Sequence, residues 1–287
     1  MSVLALAAVR SCGVTTLALS LATTWPDGRR VLLAEFDPAG GTLAAALGWP
    51  PEPGVVSLAA AARRGGDPDL IWGHCLSLEG GASVLAGPAS GEQARHALGI
   101  LAGLGGRLGE IDADVLIDCG RLESGSLSLG AVAGADGVVL VARPQLSDLH
   151  ALATWADDNP VDGVNLGVVL VGDGPYSDTE VGDALGMEVL ARLPWDPSAA
   201  AALVEAPASA RQLRVAPLVR AARSLAGRLG AESGPASREG HDEAAEPQQS
   251  LPKRGQLSRV LRTRAARVRS EPGAQSPNGT KPEAMSQ

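Results

Sequence analysis

Residues 10–17 read Arg-Ser-Cys-Gly-Val-Thr-Thr-Leu, a run with the composition of a loop that binds phosphate. The run follows an apolar stretch over Val3–Val9 and leads into a helix-forming stretch over Thr15–Trp25. A strand, a glycine loop and a helix in that order place backbone N–H groups and a helix N-terminus around phosphate oxygens. The hydroxyls of Thr15 and Thr16 then stand where such a loop holds Mg²⁺. The run therefore predicts a phosphate-binding loop.

The loop lacks the lysine that normally reaches the outer phosphates. Val14 occupies that position, directly before the threonines, and the first lysine of the chain is Lys253. Contacts to phosphate are therefore expected from the loop itself, namely Arg10, Ser11, Cys12, Gly13, Val14, Thr15 and Thr16. The guanidinium of Arg10 suits phosphate oxygens and is the candidate to replace part of the missing charge.

Two aspartates end apolar runs that are predicted as strands. Asp37 follows Val31–Phe36, and Asp118 follows Val115–Ile117. An aspartate that ends a strand beside a phosphate-binding strand is the usual second anchor for Mg²⁺, acting through water. Asp37 is also placed to orient or activate a water that attacks a γ-phosphate. The sequence thus predicts Thr15, Asp37 and Asp118 as metal-binding residues and Asp37 as catalytic.

Short apolar runs alternate with amphipathic or alanine-rich stretches along residues 1–230. The runs are continuously apolar, as in strands that are buried on both faces of a parallel sheet. Strands are predicted at Val3–Val9, Val31–Phe36, Ser83–Leu85, Val115–Ile117, Gly137–Ala142, Leu166–Val171 and Val189–Leu193. Helices are predicted at Thr15–Trp25, Val55–Arg64, Gly91–Leu108, Leu146–Asp157, Thr179–Leu185, Ala199–Glu205 and Val215–Leu229. This alternation predicts an α/β domain with a doubly wound, mostly parallel sheet, helices on both faces, and a ligand site at the carboxyl ends of the strands.

The composition changes near residue 230. Residues 1–230 contain 15 Arg and 25 Asp+Glu, a net charge of −10, whereas residues 231–287 contain 9 Lys+Arg and 7 Asp+Glu, a net charge of +2. An acidic body argues against a nucleic-acid site on residues 1–230. The low-complexity tail, residues 231–287, is rich in Ser, Pro, Gln, Glu and Gly and is predicted to be disordered.

One segment of the tail, residues 253–269, is basic and amphipathic. Leu257, Val260, Leu261 and Val268 fall on one helical face, with arginines around them. Three interpretations stay open: a helix with weak affinity for a membrane surface, a basic contact to nucleic acid or an acidic partner, and a solvated charge run without a function.

The cysteines and the hydropathy indicate a cytoplasmic chain. Cys12, Cys75 and Cys119 have no paired spacing, which is typical of free thiols in a reducing compartment. Cys12 and Cys119 are expected to face each other from neighbouring strands as small buried side chains. No apolar run reaches about 18 residues, so no membrane span is predicted. The apolar N-terminus, interrupted by Arg10, is interpreted as a strand rather than a signal peptide.

Taken together, these motifs resemble the ParA/MinD family of deviant P-loop ATPases. The loop of that family reads Lys-Gly-Gly-x-Gly-Lys-Thr-Thr. Aligned on the paired threonines, Val9 and Val14 replace the two lysines, and Arg10 and Ser11 replace the first two glycines. The loop positions that are kept are Gly13, Thr15 and Thr16.

Later segments extend the resemblance over most of residues 1–230. Glu35–Gly40 is similar to the family's switch segment, with Glu35 in place of an aspartate, and Asp118 matches its Mg²⁺ anchor. Leu193-Pro194-Trp195-Asp196 is similar to the family's segment near the adenine, which implies a cofactor contact for Pro194. Gly172 stands about where the family often has a base-reading asparagine. The dipeptide Trp195-Asp196 is expected to lie in a packed loop.

The resemblance implies a P-loop NTPase-like fold, ATP and Mg²⁺ as cofactors, a homodimer, and a protein partner. The implied role is chromosome partitioning, septum placement or the positioning of a cell-surface machine. In the family one lysine acts across the dimer and the other binds phosphate, so Val9 and Val14 imply weak Mg–ATP binding and slow or no hydrolysis. An alternative stays open: a pseudo-ATPase dimerisation scaffold that localises a pilus or secretion assembly. The implied location is the cytoplasm, with peripheral contact to the inner face of the plasma membrane through 253–269.

Overall fold

A computed structural model describes most of the chain up to Glu232. The described residues are 1–63, 67–78, 80–102, 105–123, 125–160, 164–204, 213 and 215–232. The predicted basic segment 253–269 therefore lies outside the described residues. None of the helices in these ranges is long and apolar enough to cross a membrane.

Eight strands form one sheet at the centre of the fold. They are β1 Val3–Ala8, β2 Val31–Glu35, β3 Leu76–Ser77, β4 Ser83–Leu85, β5 Asp114–Arg121, β6 Gly137–Ala142, β7 Asn165–Val171 and β8 Glu188–Leu193. Their order is β3-β4-β2-β5-β1-β6-β7-β8, and every pairing is parallel except that of β3 with β4. The carboxyl ends of β2, β5, β1 and β6 thus meet at one edge, which is where such a sheet holds a ligand.

Helices cover both faces of the sheet, as predicted. They are α1 Val14–Thr24, α2 Leu43–Ala46, α3 Val55–Ala62, α4 Gly91–Leu101, α5 Leu129–Ala133, α6 Leu146–Asp158, α7 Asp178–Leu185, α8 Pro197–Val204 and α9 Pro217–Glu232. Two 3₁₀ helices lie at Pro68–His74 and Gly105–Glu110. The α/β, doubly wound, mostly parallel architecture predicted from the sequence is confirmed.

The alternation of side chains along β1 divides the core in two. Ala5 and Ala7 face the larger apolar cluster, which α3, α4, α6 and α7 complete. Leu4 and Leu6 face the second cluster, which is built with α1 and α9. Successive residues of a strand point to opposite faces, so a fully buried strand supplies both clusters.

Several predicted boundaries are wrong. The helix predicted over Gly91–Leu108 ends at Leu101, before the glycine-rich stretch that favours leaving the helix, and a 3₁₀ turn follows at Gly105–Glu110. The short helices α2 and α5 and the two-residue edge strand β3 were not predicted from the sequence. These elements are too short to show a period of their own.

The amino-terminal edge of the sheet is held by a buried carboxylate. Asp114, at the start of β5, accepts hydrogen bonds from Arg29 Nη2 at 2.6 Å, Trp25 Nε1 at 2.9 Å and the backbone N–H of Ser2 at 3.0 Å. Arg29 Nη1 also donates to the carbonyl of Gly230 in α9 at 3.0 Å. Burial opposes ionisation, but the bonds from Arg29, Trp25 and Ser2 outweigh it and lower the pKa of Asp114.

Candidate functional site

The predicted phosphate-binding loop connects β1 to α1 at the carboxyl edge of the sheet. Gly13 precedes the helix with φ of 94° and ψ of 37°, a left-handed conformation that favours glycine. The N–H of Leu17 donates to the Gly13 carbonyl at 2.9 Å and closes the first turn of α1. Thr15 and Thr16 lie half-buried in that turn. The loop therefore presents the N-terminus of α1, with its free N–H groups, at the carboxyl edge of the sheet.

Neither Val14 nor Arg10 brings a positive charge to this turn. Val14 is 7% exposed and packs in the apolar cluster beside α1. The Arg10 side chain is 58% exposed, and its Nε lies 3.9 Å from Asp148 Oδ1 on α6. Arg10, predicted to replace part of the lost charge, is thus drawn towards a carboxylate outside the loop.

Cys12 packs the loop onto the neighbouring strand. Its thiol donates to the carbonyl of Val141 in β6 at 3.0 Å. Burial, reinforced by Asp148, raises the pKa of Cys12 to about 12 although Arg143 acts in the opposite direction. The expectation that Cys12 and Cys119 face each other is wrong, because they belong to the clusters on opposite faces of the sheet. Cys12 is a neutral packing group.

Asp118 is a buried carboxylate with an unused oxygen. It lies in β5 beside Leu6 of β1 and is fully buried. Its Oδ1 accepts from the N–H of Gly120 at 2.9 Å, whereas Oδ2 has no hydrogen-bond partner among the described residues. Burial raises the pKa of Asp118 to about 7, with smaller contributions in the same direction from Glu35 and Asp37. Hydrogen bonds from the Thr15 side chain and the Gly120 N–H favour the charged form. An unpaired oxygen this deep is costly, and a bound cation or one of its water ligands would satisfy it.

Asp37 is positioned over Gly120. Its Oδ1 accepts from the N–H of Ala39 at 2.7 Å, which fixes the turn after β2. A Cβ on Gly120 would overlap the Asp37 carboxylate, and Gly120 has φ of 60°. Burial raises the pKa of Asp37, whereas the Ala39 N–H and Arg121 lower it. This role of Gly120 was not predicted from the sequence. The signal that could have indicated it is the position of Gly120, two residues after Asp118.

Glu35 joins the start of α2 and the loop after β4 to the end of β2. Its Oε1 accepts from the N–H groups of Thr42 at 2.7 Å and Leu43 at 3.1 Å, and Oε2 accepts from the N–H of Gly87 at 2.9 Å. Burial raises the pKa of Glu35 in spite of these three donors. A Cβ on Gly41 would overlap Oε2. The glutamate that departs from the family pattern thus caps α2 and joins it to the loop after β4.

Arg143 is a cation at the loop that the sequence analysis did not single out. It directly follows β6, and its Nη2 donates to the carbonyl of Ser11 at 3.2 Å. Its guanidinium carbon lies 5.5 Å from the ring centroid of Trp195, beside Pro194 and the end of β8. Trp195 is 62% exposed, so the expectation of a packed loop is wrong at this residue. Pro194 is half-buried.

The oxygen ligands at the sheet edge suit Mg²⁺ better than the loop suits a triphosphate. Within the described ranges, no three His, Cys, Asp or Glu side chains are grouped to hold a metal ion by themselves. A hydroxyl that binds Mg²⁺ directly, with carboxylates acting through water, needs no such group. Thr15, Asp37 and Asp118 supply that set, and the unused Asp118 Oδ2 supports it. The phosphate side has the backbone of the loop but no lysine.

No protein-family model matches the sequence, and a search of the curated proteins finds no match. Solved structures match closely in shape. A ParA family ATPase from Chlorobium tepidum TLS has a TM-score of 0.63 at 14% identity, over 79% of this chain and 98% of that one. The chain has a ParA/MinD-like fold.

Two cell-division proteins show the same ParA/MinD-like fold. The septum site-determining protein MinD from Pyrococcus horikoshii OT3, complexed with Mg-ADP, has a TM-score of 0.60 at 18% identity, over 81% of this chain and 97% of that one. The MinC:MinD complex of Aquifex aeolicus has a TM-score of 0.56 at 17% identity, over 82% of this chain and 98% of the matched chain. These likenesses confirm the resemblance to the ParA/MinD fold.

Proposed function

We propose that this chain is a ParA/MinD-like, nucleotide-dependent spatial regulator that binds Mg–ATP weakly. The observation that carries the proposal is the unused Oδ2 of fully buried Asp118, beside Thr15 and Asp37. Thr15 binds the metal through its hydroxyl, and the two aspartates hold its water ligands. The N–H groups of residues 11–16 would cradle the phosphates, and Mg²⁺ held by these three side chains would offset part of the phosphate charge.

Hydrolysis is slow or absent on this proposal. Val9 and Val14 stand where the family has its two lysines, and Val14 packs in the core. Loss of one comparable transition-state charge costs about 10³-fold or more in phosphoryl transfer. Asp37 remains as the residue that orients the attacking water. Nucleotide binding can therefore act as a conformational signal while turnover contributes little.

The biological role proposed is the placement of a division, partitioning or surface machine by a cytoplasmic homodimer with a protein partner. Among the solved structures with this fold, MinD of Aquifex aeolicus is found in a complex with MinC. The net charge of −10 over residues 1–230 supports a protein partner rather than nucleic acid for the domain. The basic segment 253–269 then provides a weak, reversible contact to an anionic membrane surface or an acidic partner.

Removing residues 253–269 tests the proposed membrane contact. The full chain is expected to sediment with vesicles of anionic lipid at low salt, and the deletion variant to stay in solution. Equal sedimentation of the two proteins would exclude the segment as the membrane contact. Vesicles of neutral lipid provide the control for non-specific sedimentation.

The loop also favours a second candidate, a pseudo-ATPase dimerisation scaffold that localises a pilus or secretion assembly. Val14 is buried in the core and Arg10 faces Asp148, so neither residue places a positive charge beside a phosphate. On this view the loop is a structural connection, and the tail docks the assembly.

Titration of the full chain with ATP and ADP, with and without Mg²⁺, separates the two candidates. For the regulator we expect Mg²⁺-dependent binding with a dissociation constant in the micromolar to submillimolar range, and a rise in Tm when the nucleotide is bound. Asp118→Asn should lose the Mg²⁺-dependent part, whereas the exposed Asp27→Asn should keep it. Absence of binding up to millimolar nucleotide would instead establish the scaffold.

A further inference from the structure

One arginine of the described chain brings its charge to the phosphate-binding loop without belonging to the loop. Arg143 Nη2 donates to the carbonyl of Ser11 at 3.2 Å. Its charge also acts on the Cys12 thiol, one residue further along the loop. β1 pairs with β6 as far as Ala7 opposite Leu140, so the loop after β1 and Arg143 after β6 leave the sheet at the same edge. Arg143 is therefore fixed to the loop by the pairing of β1 with β6.

Part of the Arg143 guanidinium is buried without a partner. Its Nε is closed to solvent and has no hydrogen-bond acceptor among the described residues. Arginine carries five N–H donors in a planar fork, and the bond to Ser11 uses one of them. A buried, unpaired donor on a charged group is unfavourable by itself. Among the described residues, the fork's other Nη donors are left for an anion at the half-buried guanidinium.

Trp195 holds the guanidinium in place. The guanidinium carbon lies 5.5 Å from the centroid of the indole ring, a cation–π distance. The Cβ of Trp195 lies beside Gly172, where an added Cβ would be 3.4 Å from it. The side chain is 62% exposed, and its ring faces the guanidinium. Trp195 is a positioning residue for Arg143.

We propose that Arg143 is the phosphate-binding cation of this site and replaces the lysine that Val14 removes. The proposal rests on the nucleotide binding put forward above. The guanidinium reaches the loop from β6, the strand next to β1, rather than from within the loop, and Trp195 fixes its orientation. Its ligand is the phosphate chain of a nucleoside di- or triphosphate. An arginine fork is suited to two phosphate oxygens at once, which a lysine is not.

The test is calorimetric titration of the full chain and of its variants with Mg–ATP and with Mg–tripolyphosphate. A charge-assisted bond of this type contributes about ten- to a hundred-fold in affinity. Arg143→Ala should therefore weaken both ligands by about that factor. Arg143→Lys should recover part of the loss, because it restores the charge but not the fork. Arg223→Ala, an exposed arginine on α9, should bind as the native chain does.

Trp195 provides a second readout. Trp195→Ala should weaken Mg–ATP by about two- to five-fold, and Trp195→Phe should restore most of it, because a ring still faces the guanidinium. The native chain should show a change in tryptophan fluorescence on binding that Trp195→Phe lacks. Circular dichroism and Tm show whether each variant is folded.

The outcomes separate this inference from the proposed function. Equal affinities of folded Arg143→Ala and native protein for both ligands would overturn the role of Arg143 and leave nucleotide binding in place. Binding of tripolyphosphate but not of ATP, with loss in Arg143→Ala, would support the phosphate cation and reject the nucleotide function. Failure of the native chain to bind either ligand would overturn both.

Discussion

The carboxylate of Asp37 occupies the space that the side chain of any other residue at position 120 would need. Gly120 also has φ of 60°, so both the space and the backbone favour glycine there. The N–H of the same glycine donates to Asp118 Oδ1 at 2.9 Å. One residue thus sets the positions of both aspartates proposed to hold Mg²⁺.

Gly120→Ala is expected to displace Asp37 as well as strain the backbone. The strained backbone alone costs about 1–3 kcal/mol. Gly48→Ala is the matched control, because Gly48 has φ of 66° and nothing within 4 Å of an added Cβ. Urea denaturation should show a larger loss for Gly120→Ala, and Mg–ATP titration should show weaker binding in that variant alone. Equal losses in both variants would mean that Asp37 does not depend on Gly120.

Asp118→Asn is expected to remove a pH dependence of stability. The pKa of Asp118 is raised to about 7 by burial, above its ordinary 3.8. At pH values between these two, the Asp118 carboxyl is therefore protonated in the folded protein and ionised in the unfolded protein. This contribution to stability is fully present below pH 3.8 and is lost as pH rises through 7, on the order of 4 kcal/mol in all.

Thermal denaturation at pH 5.5 and pH 8 measures this effect. The native chain should lose more stability over the interval than Asp118→Asn does. Burial also raises the pKa values of Asp37 and Glu35, so a smaller fall in the same direction should remain in the variant. Asp27→Asn, an exposed carboxylate, should behave as the native chain does. An unchanged fall in Asp118→Asn would rule out Asp118 as its source.

Glu35→Gln is expected to loosen the switch segment. The carboxylate accepts three backbone N–H bonds, whereas an amide offers one oxygen and turns an NH₂ group towards at least one of those donors. The cost is about 1–3 kcal/mol, as for bonds to a charged group. Hydrogen exchange at Thr42, Leu43 and Gly87 should accelerate. Exposed Glu52→Gln is the control, and unchanged exchange at all three amides would contradict this role of Glu35.

Val14→Lys is expected to tighten Mg–ATP binding by about ten-fold or more, since it returns the phosphate lysine to a loop whose backbone already has the required form. Its stability cost is about 1.5–3 kcal/mol, because a buried valine is lost from the cluster beside α1. Val14→Met controls for length without charge. If calorimetry shows no gain over Val14→Met, the loop backbone is not a phosphate cradle.

Arg29→Ala is expected to destabilise the fold by about 1–3 kcal/mol through the loss of charge-assisted bonds to Asp114. The low pKa of Asp114 contributes stability that is present above the ordinary value of 3.8 and is lost as pH falls through its lowered value. Urea denaturation of Arg29→Ala should therefore show less loss of stability on acidification than the native chain. Arg220→Ala, exposed on α9, is the control. If Arg29→Ala and Arg220→Ala lose the same stability on acidification, the Arg29–Asp114 pair is not the source of that loss.

Much of the fold followed from the sequence because continuous apolar runs identify strands buried on both faces. The order of loop, Asp37 and Asp118 predicted that these residues lie at one edge of the sheet, since parallel strands bring their carboxyl ends together there. Helix α5 and strand β3 were missed, because elements of five and two residues carry no period.

The parts of the site that were missed depend on contacts distant in sequence. Arg143 is 132 residues from Ser11, and Glu35 is 52 residues from Gly87. The contact of Trp195 with Arg143 likewise joins residues far apart in sequence. Such pairs are set by the sheet order, and residue types along the chain do not determine them.

The contact that anchors α9 and the phosphate-binding loop lie at opposite ends of the central strands. The Gly230 carbonyl is held by Arg29, and Arg29 by Asp114 at the amino-terminal start of β5. The phosphate-binding loop lies at the other edge, about 20 Å away along six-residue β1. The last turn of α9 therefore lies at the end of the sheet remote from the loop. A ligand at the loop and the last turn of α9 are separated by the full length of the central strands.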